Sequence, residues 1–182
     1  MKIEHEIEIT PNSVVLDGRV IEVSETGDKM LVELYRRYVK DYPKFFKMDT
    51  LSRLGFIAAE ILLQEHRVQH TEYRPDAVIL ANRSASIKND TDYLATISDG
   101  NYYPSPALFV YTLPNIVTGE IAIRHQIQGE TSFYILDKPE ELEDIIKSQI
   151  INHKSQLSIL AGWCECSKAN EYYAKLQIIW NN

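Results

Sequence analysis

The chain has 182 residues, of which 45% are hydrophobic and 25% charged, and it carries a formal net charge of −7. These values are typical of one globular domain with a substantial core, and they exclude an intrinsically disordered chain. The acidic balance excludes nucleic acid and anionic membranes as main partners, because neutralising phosphates needs a basic face. We further expect a cytoplasmic protein without a membrane span, because residues 1–10 mix charged and apolar residues and no apolar run has the length of a spanning helix.

The first segment, residues 1–25, has the pattern of a strand followed by a hairpin. Apolar and charged residues alternate between Ile3 and Ile9, which is the period of a half-buried strand. Asp17 and Gly18 separate two apolar runs and favour a tight turn, because both turn positions need positive φ. We predict that residues 1–25 extend a single domain that covers residues 1–182.

Two helices are predicted after this hairpin. Apolar residues recur at helical spacing between Leu31 and Tyr38, and Asp28 is the expected N-cap of this first helix. A second amphipathic helix begins near Asp49 and continues past Leu62. Its small residues, at 55, 58 and 59, would allow close packing against a sheet or another helix.

Strands and helices then alternate to the end of the chain. Residues 76–81 form a short apolar run that is typical of a strand buried on both faces. Further strands are predicted at residues 131–136, 157–164 and 172–180, and a helix with a capping box begins at residues 137–140. The order predicts an α/β domain with a mixed, mostly parallel sheet, helices on its faces and an antiparallel last strand.

The segment from Pro104 to Gly129 joins an extended proline-rich lead-in to a short helix. Each proline ring fixes φ and biases the preceding residue away from helix, so Pro104 and Pro106 predict an extended lead-in. Asn115 is the expected helix N-cap, and Gly129 the expected end of the helical segment. By itself this pattern fits an ordinary loop that leads into an ordinary buried helix.

Several of these segments together resemble the N-terminal half of a β-ketoacyl-acyl-carrier-protein synthase, a family with the thiolase fold. The resemblance extends over about residues 45–180. It is carried by Lys47-Met48-Asp49, Leu51-Ser52-Arg53, the helix up to Glu60, the strand from Asp76 to Ala81, Pro104, Phe109, Leu113-Pro114-Asn115, Gly119, Ile121-Ala122, Gly129 and Leu160-Ala161-Gly162-Trp163-Cys164-Glu165. It implies a single thiolase-like half-domain.

The chain departs from that family at the positions that carry its chemistry. The family places a nucleophilic cysteine shortly after the position of Gly129, where a strand ends and a helix opens. Here the segment from Phe133 to Pro139 contains no standard nucleophile, and the two family histidines belong to a C-terminal half that follows the end of this chain. We therefore expect no catalytic residue, and no condensation by this chain alone.

Other chemical groups in the sequence fit structural roles. Cys164 and Cys166 fall on one face of a strand and are expected to be buried free thiols. His66 and His70 have the i, i+4 spacing of some metal sites, but a solvated helix end is expected because no carboxylate or cysteine stands nearby at a diagnostic spacing. Asp90, Asp92 and Asp99 lack the pattern of a calcium loop. We expect no metal and no cofactor.

Two aromatic pairs, Tyr102-Tyr103 and Phe45-Phe46, fall in predicted loops. Each pair could either pack beneath its own loop or form part of a surface that faces a partner.

Two hypotheses for the function follow. The resemblance implies an accessory subunit of fatty acid or polyketide-type biosynthesis that forms a homodimer, or a heterodimer with a full-length ketosynthase, with an acyl carrier protein as a further candidate partner. The alternative is a small acyl- or ligand-binding protein or enzyme. Its site would lie at the polar segment after the strand of residues 76–81, where Arg83 could bind a phosphate or carboxylate. The candidate ligand-binding residues are Asn82, Arg83, Ser84 and Asn115, with Ser86 beside them.

Overall fold

A computed structural model describes residues 1–69, 74–98, 100, 103–152 and 157–181, without the side chains of residues 68, 69 and 152. The strands are β1 (Lys2–Thr10), β2 (Ser13–Leu16), β3 (Arg19–Ile21), β4 (Ala77–Asn82), β5 (Thr131–Ile135), β6 (Ser158–Lys168) and β7 (Glu171–Trp180). The α-helices are α1 (Gly27–Leu34), α2 (Thr50–Gln69), α3 (Ile87–Leu94), α4 (Pro106–Val110), α5 (Ile116–His125) and α6 (Pro139–Asn152). A π-helical turn (Tyr35–Val39) and a 3-10 helix (Pro43–Lys47) connect α1 to α2. No helix in the described ranges combines the length and apolar character needed to cross a membrane.

The strands form one mixed sheet in the order β3-β2-β1-β7-β6-β4-β5. The predicted α/β class, the mixed sheet and the antiparallel last strand are confirmed. In the described part of the sheet β4 pairs in parallel with β5 and β6, whereas the other four strand pairs are antiparallel. The sheet thus has fewer parallel pairs than the mostly parallel sheet that was predicted. The reason is that the N-terminal strand and hairpin join this sheet through β7 and pair antiparallel.

Helices cover both faces of the sheet, as the alternation along β4 shows. Val78 and Leu80 belong to a large core cluster on the face covered by α2 and α5, whereas Ile79 and Ala81 belong to a smaller cluster beneath α6. All six residues of β4 are buried, which explains its continuous apolar run.

The long helix α2 begins where the sequence predicts and packs closely against α5. Asp49 precedes it and accepts a hydrogen bond from the Ser52 backbone N–H at 3.0 Å. A side chain at Gly55 would press against Val117 of α5, so glycine allows the two helices to approach each other. The predicted packing role of the small residues in α2 is confirmed at this position.

Two predicted helix caps were wrong in detail. The N-cap of α1 is Thr26, without a side-chain cap bond, and Asp28 lies in the first turn. The backbone N–H of Asp28 instead donates a hydrogen bond to the side-chain oxygen of Asn170, in the distant β6–β7 turn. Asn115 does occupy the N-cap position of α5, but its side chain makes no cap hydrogen bond. The helix ends at His125 and is followed by Gln126 in the left-handed region, so Gly129 lies beyond its end.

Gly129 is required by the close approach of two chain segments. A Cβ at this position would overlap the backbone carbonyl oxygen of Asp76, just before β4. We expect Gly129→Ala to lower the free energy of unfolding by about 3 kcal/mol, because backbone cannot move aside as a flexible side chain could. Gly119→Ala is the matched control, since a Cβ there meets nothing within 4 Å and the helix should gain about 0.5–1 kcal/mol. Equal urea midpoints for the two variants would contradict this account.

Candidate functional site

The segment that follows β4 forms a closed loop at the carboxyl end of the parallel strands. The Asn82 side chain closes it by donating to the Ala85 carbonyl and accepting from the Ala85 amide, both at 2.9 Å. Asn82 is fully buried, and Ala85 has a φ of 51°. Asn82 therefore shapes the loop and does not present its amide group to solvent.

Glu165, at the neighbouring end of β6, holds the outer side of this loop. Its carboxylate accepts a hydrogen bond from the Arg83 backbone N–H at 2.8 Å and a second, short one from the Ser84 hydroxyl. Ser84 is bonded to a carboxylate and not to an imidazole, so no described contact activates it as a nucleophile. The side chain of Arg83 is exposed and projects from a loop that Glu165 fixes in place.

A second set of contacts joins this loop and α3 to the segment around α4. The Ser86 hydroxyl donates to the Thr112 carbonyl at 2.7 Å, and the Asn89 side chain donates to the Leu108 carbonyl at 2.9 Å. Ser86 is 3% exposed and Asn89 is 1% exposed. These buried contacts fix the position of the 108–113 segment relative to α3.

Asn115, the fourth predicted ligand-binding residue, is the N-cap residue of α5. Its side chain is exposed at the start of α5, while its backbone carbonyl accepts hydrogen bonds from Thr118 and Gly119. The structure thus brings Asn82, Arg83 and Ser84 together at one loop, and no described hydrogen bond links Asn115 to them. Ligand binding by these residues stays a prediction.

Apolar side chains form an exposed surface on α3 and the α4 segment, which we call the α3–α4 surface. The rings of Tyr93 and Phe109 lie 5.5 Å apart and connect its two parts. Its members are Ile87 (47% exposed), Leu94 (62%), Phe109 (59%), Val110 (50%) and Leu113 (58%). Large exposed apolar patches on a globular domain mark sites of protein–protein contact.

The two predicted aromatic pairs have different surroundings. Both residues of the Phe45-Phe46 pair lie in the 3-10 helix: Phe45 is buried and its ring stacks on Tyr35 at 4.5 Å, whereas Phe46 is 52% exposed. Tyr103 is 85% exposed, and Tyr102 lies outside the described residues.

The strand end where the resemblance implies a nucleophile is occupied by Ile135, Leu136 and Asp137. Leu136 donates its backbone N–H to the Asn82 carbonyl, and α6 begins shortly afterwards at Pro139. The predicted strand-to-helix arrangement is confirmed, and its residues at this point carry no thiol or hydroxyl group.

Both cysteines are free and buried, as predicted. Burial raises the pKa of the Cys164 thiol well above its usual value and raises that of Cys166 to about 12. Neither thiol can therefore form an accessible thiolate near neutral pH.

A buried polar cluster that the sequence did not predict lies between α2 and α5. The Glu60 carboxylate is 3.1 Å from His125 Nε2 and 3.4 Å from Arg124 Nε. Arg67 donates to His125 Nδ1 at 2.9 Å, and Arg124 also pairs with Asp41. A guanidinium group can only donate, so the imidazole accepts at Nδ1 and carries its proton at Nε2, towards Glu60. The cluster connects the two helices through charged hydrogen bonds.

The predicted solvated environment of His66 was wrong, because this side chain is fully buried. It lies near Glu4 and His5 of β1. His70 and Asp99 lie outside the described residues, and Asp92 forms an ion pair with Lys88. His5 occupies an inward position of the β1 alternation, and this was the sequence signal for a buried imidazole.

Comparison with protein families finds no match to this sequence. No curated protein is similar in sequence either. A similar solved structure is the ketosynthase ApeO in complex with its chain length factor ApeC from Xenorhabdus doucetiae, with a TM-score of 0.65 and 12% sequence identity. The match covers 100% of this chain and 79% of the chain to which it aligns. This likeness shows that the chain has a ketosynthase-like fold of the thiolase type.

Proposed function

We propose that this protein is a non-catalytic, ketosynthase-like partner subunit in acyl-carrier-protein-dependent biosynthesis of a fatty acid or polyketide type. It would correspond to the N-terminal half of a ketosynthase and would form a heterodimer with a catalytic ketosynthase. The similar solved structure is itself a complex of a ketosynthase with a chain length factor, and the match covers 100% of this chain. A chain with this fold is thus compatible with a role in such a complex.

The chemistry at the end of β5 supports a non-catalytic role. Condensation needs a nucleophile there and a stabiliser for the developing oxyanion. Ile135, Leu136 and Asp137 supply neither, and the thiols of Cys164 and Cys166 are buried with raised pKa values. The partner would therefore supply the reactive cysteine.

The observation that carries the proposal is the α3–α4 surface. Its five apolar side chains are each between 47% and 62% exposed, although hydrogen bonds from Ser86 and Asn89 hold the surface in a defined shape. A preformed apolar surface lowers the entropic cost of association. A ketosynthase that covers it would remove this area from water, which is the main driving force of stable association.

The test is a capture experiment with the affinity-tagged chain in extract of its native cells, followed by identification of the bound proteins. We expect a ketosynthase in near-equimolar amount, because an obligate partner remains bound through washing. A condensation assay on the captured complex should then show activity that depends on the ketosynthase cysteine. Recovery of the chain without any ketosynthase, from cells that express one, would contradict the proposal.

A further inference from the structure

Three potential metal-binding side chains converge where β1 begins and α2 nears its end. Glu4, His5 and His66 each offer a ligand atom, and these atoms all lie within 4.8 Å of one another. His5 is 4% exposed and His66 is fully buried, while the Glu4 side chain is 16% exposed. His66 Nδ1 lies 3.5 Å from a carboxylate oxygen of Glu4. Residues more than 60 positions apart in sequence thus meet in one nearly closed site.

An irregularity in β1 explains how two consecutive residues contribute to this site. Neighbouring residues of a regular strand point to opposite faces of the sheet. In the pairing with β7, Ile3 stands opposite Ile179 and His5 opposite Ile178, so Glu4 is an extra, unpaired residue. Such a bulge re-aims side chains. It allows Glu4 and His5 to approach His66 together, with the His5 and His66 rings 5.7 Å apart.

Asp17 orients the His5 imidazole from outside the cluster. A carboxylate oxygen of Asp17 lies 2.8 Å from His5 Nδ1 and accepts its proton in a hydrogen bond. Asp17 is itself fixed in the β2–β3 turn, because its other oxygen accepts the Glu6 backbone N–H at 2.8 Å. The remaining nitrogen, His5 Nε2, is buried and has no hydrogen-bond partner in the described structure.

We propose that Glu4, His5 and His66 form a binding site for a first-row divalent metal ion of the zinc class. Two imidazoles and a carboxylate suit zinc and its neighbours, whereas magnesium and calcium prefer oxygen ligands. A carboxylate that holds the second nitrogen of a ligating histidine is the usual outer partner in such sites, and Asp17 supplies it. A buried lone pair on Nε2 without a partner is costly unless a ligand occupies that position.

The ligand spacing requires only a modest contraction. A tetrahedral ion with bonds of about 2.0–2.1 Å needs its donors about 3.4 Å apart. The Glu4–His66 pair already has a separation of 3.5 Å, and the other pairs lie within 4.8 Å. Trp180 Nε1 donates a hydrogen bond to Glu4 and limits the movement of its carboxylate.

The position of the cluster in the sheet separates it from the loop that follows β4. Trp180 pairs with Ser158 at the start of β6, whereas Glu165 and the Arg83–Ser84 loop lie towards the opposite end of that strand. An ion at Glu4, His5 and His66 would join the start of β1 to α2. It would lie near the start of β6, whereas the Arg83–Ser84 loop lies near the other end of that strand. This inference is independent of the proposed function.

The test uses full-length, tag-free chain that has been stripped of metal with a chelator. We expect calorimetric titration with zinc to show one tight site, and cobalt to give the intense visible absorption of a tetrahedral nitrogen–oxygen site. At a zinc concentration 100-fold above the dissociation constant the Tm should rise by about 5–10 °C. Magnesium should cause neither change.

Variants assign the ligands. Glu4→Gln and His5→Gln should abolish the tight site, and Asp17→Asn should weaken it by about 10- to 100-fold. Glu8→Gln changes a carboxylate on the same strand outside the cluster and should bind zinc as the wild type does. If His5→Gln fails to fold, Glu4→Gln and Asp17→Asn decide the matter. Absence of zinc and cobalt binding by the wild type, or unchanged affinity in Glu4→Gln and Asp17→Asn, would overturn the proposal and leave the cluster as buried ion pairs.

Discussion

Replacing Glu60 with glutamine should lower the free energy of unfolding at pH 7 by about 3 kcal/mol. The carboxylate is 2% exposed, lies 3.1 Å from His125 Nε2 and accepts a hydrogen bond from Arg124 Nε at 3.4 Å. Removing the negative charge leaves a partly buried guanidinium without one of its two carboxylates. Equilibrium unfolding in urea measures this loss directly.

The same residue should make stability depend on acid pH. Burial by itself raises the pKa of the Glu60 carboxyl, but the hydrogen bond from His125 and the charge of Arg124 outweigh it and lower the pKa from 4.5 to about 2. The unfolded chain therefore binds the proton more readily than the folded chain does. The stabilisation, about 3 kcal/mol by linkage, is present above about pH 5 and is lost as the pH falls towards 2.

Glu65→Gln is the matched control for both effects. Glu65 lies on the same helix but forms its ion pair with Arg19 at the surface, so its loss should cost less than about 1 kcal/mol. If the free energy of unfolding of Glu60→Gln fell between about pH 5 and pH 2 as steeply as that of the wild type, the role assigned to this carboxylate would be contradicted.

Substitution in the α3–α4 surface should abolish partner binding without unfolding the chain. We expect Phe109→Asp combined with Leu113→Asp to weaken association with the ketosynthase at least 100-fold, because each apolar anchor in an interface is worth about 2 kcal/mol or more. Both side chains are more than half exposed in the isolated chain, so the Tm should change little. Surface-immobilised binding kinetics and a thermal unfolding scan measure the two quantities.

Ile151→Asp provides the control for this surface. Ile151 is 79% exposed on α6, which packs on the sheet through the other core cluster, beneath Ile79 and Ala81. This variant should bind the ketosynthase with wild-type affinity. Equal affinity of the double variant and the wild type would show that the α3–α4 surface is not the interface.

The sequence predicted those elements whose pattern is local. The alternation of β1, the Asp17-Gly18 turn and the apolar run of β4 each depend on residues close together in sequence, and all three are confirmed. The small residue Gly55 likewise predicted a close helix contact, and its partner proved to be Val117.

Features that depend on distant residues could not be predicted in this way. The pairing of β1 with β7 places the hairpin in the main sheet, and it depends on a register that neither strand encodes alone. The burial of His66 depends on the same pairing, because β1 supplies the residues around it. The amide of Asp28 is likewise satisfied by Asn170, which is 142 positions away.

The loop after β4 likewise has features that the local sequence predicts and features that depend on distant residues. The sequence places Asn82, Arg83 and Ser84 after a buried strand, where ligands often bind in open α/β sheets. It could not show that Glu165 of a different strand holds the Arg83 amide and the Ser84 hydroxyl. It also could not show whether Asn115 joins this loop, because the position of α5 depends on its packing against α2.

The most direct test of the proposed function is the mass of the complex in solution. We would measure sedimentation of the purified 21.0 kDa chain alone, of the purified ketosynthase alone, and of their mixture at micromolar concentration. We expect the mixture to contain a single larger species with both chains in equal amounts. Unchanged sedimentation of both proteins in the mixture, whether the chain alone is a monomer or a homodimer, would contradict it.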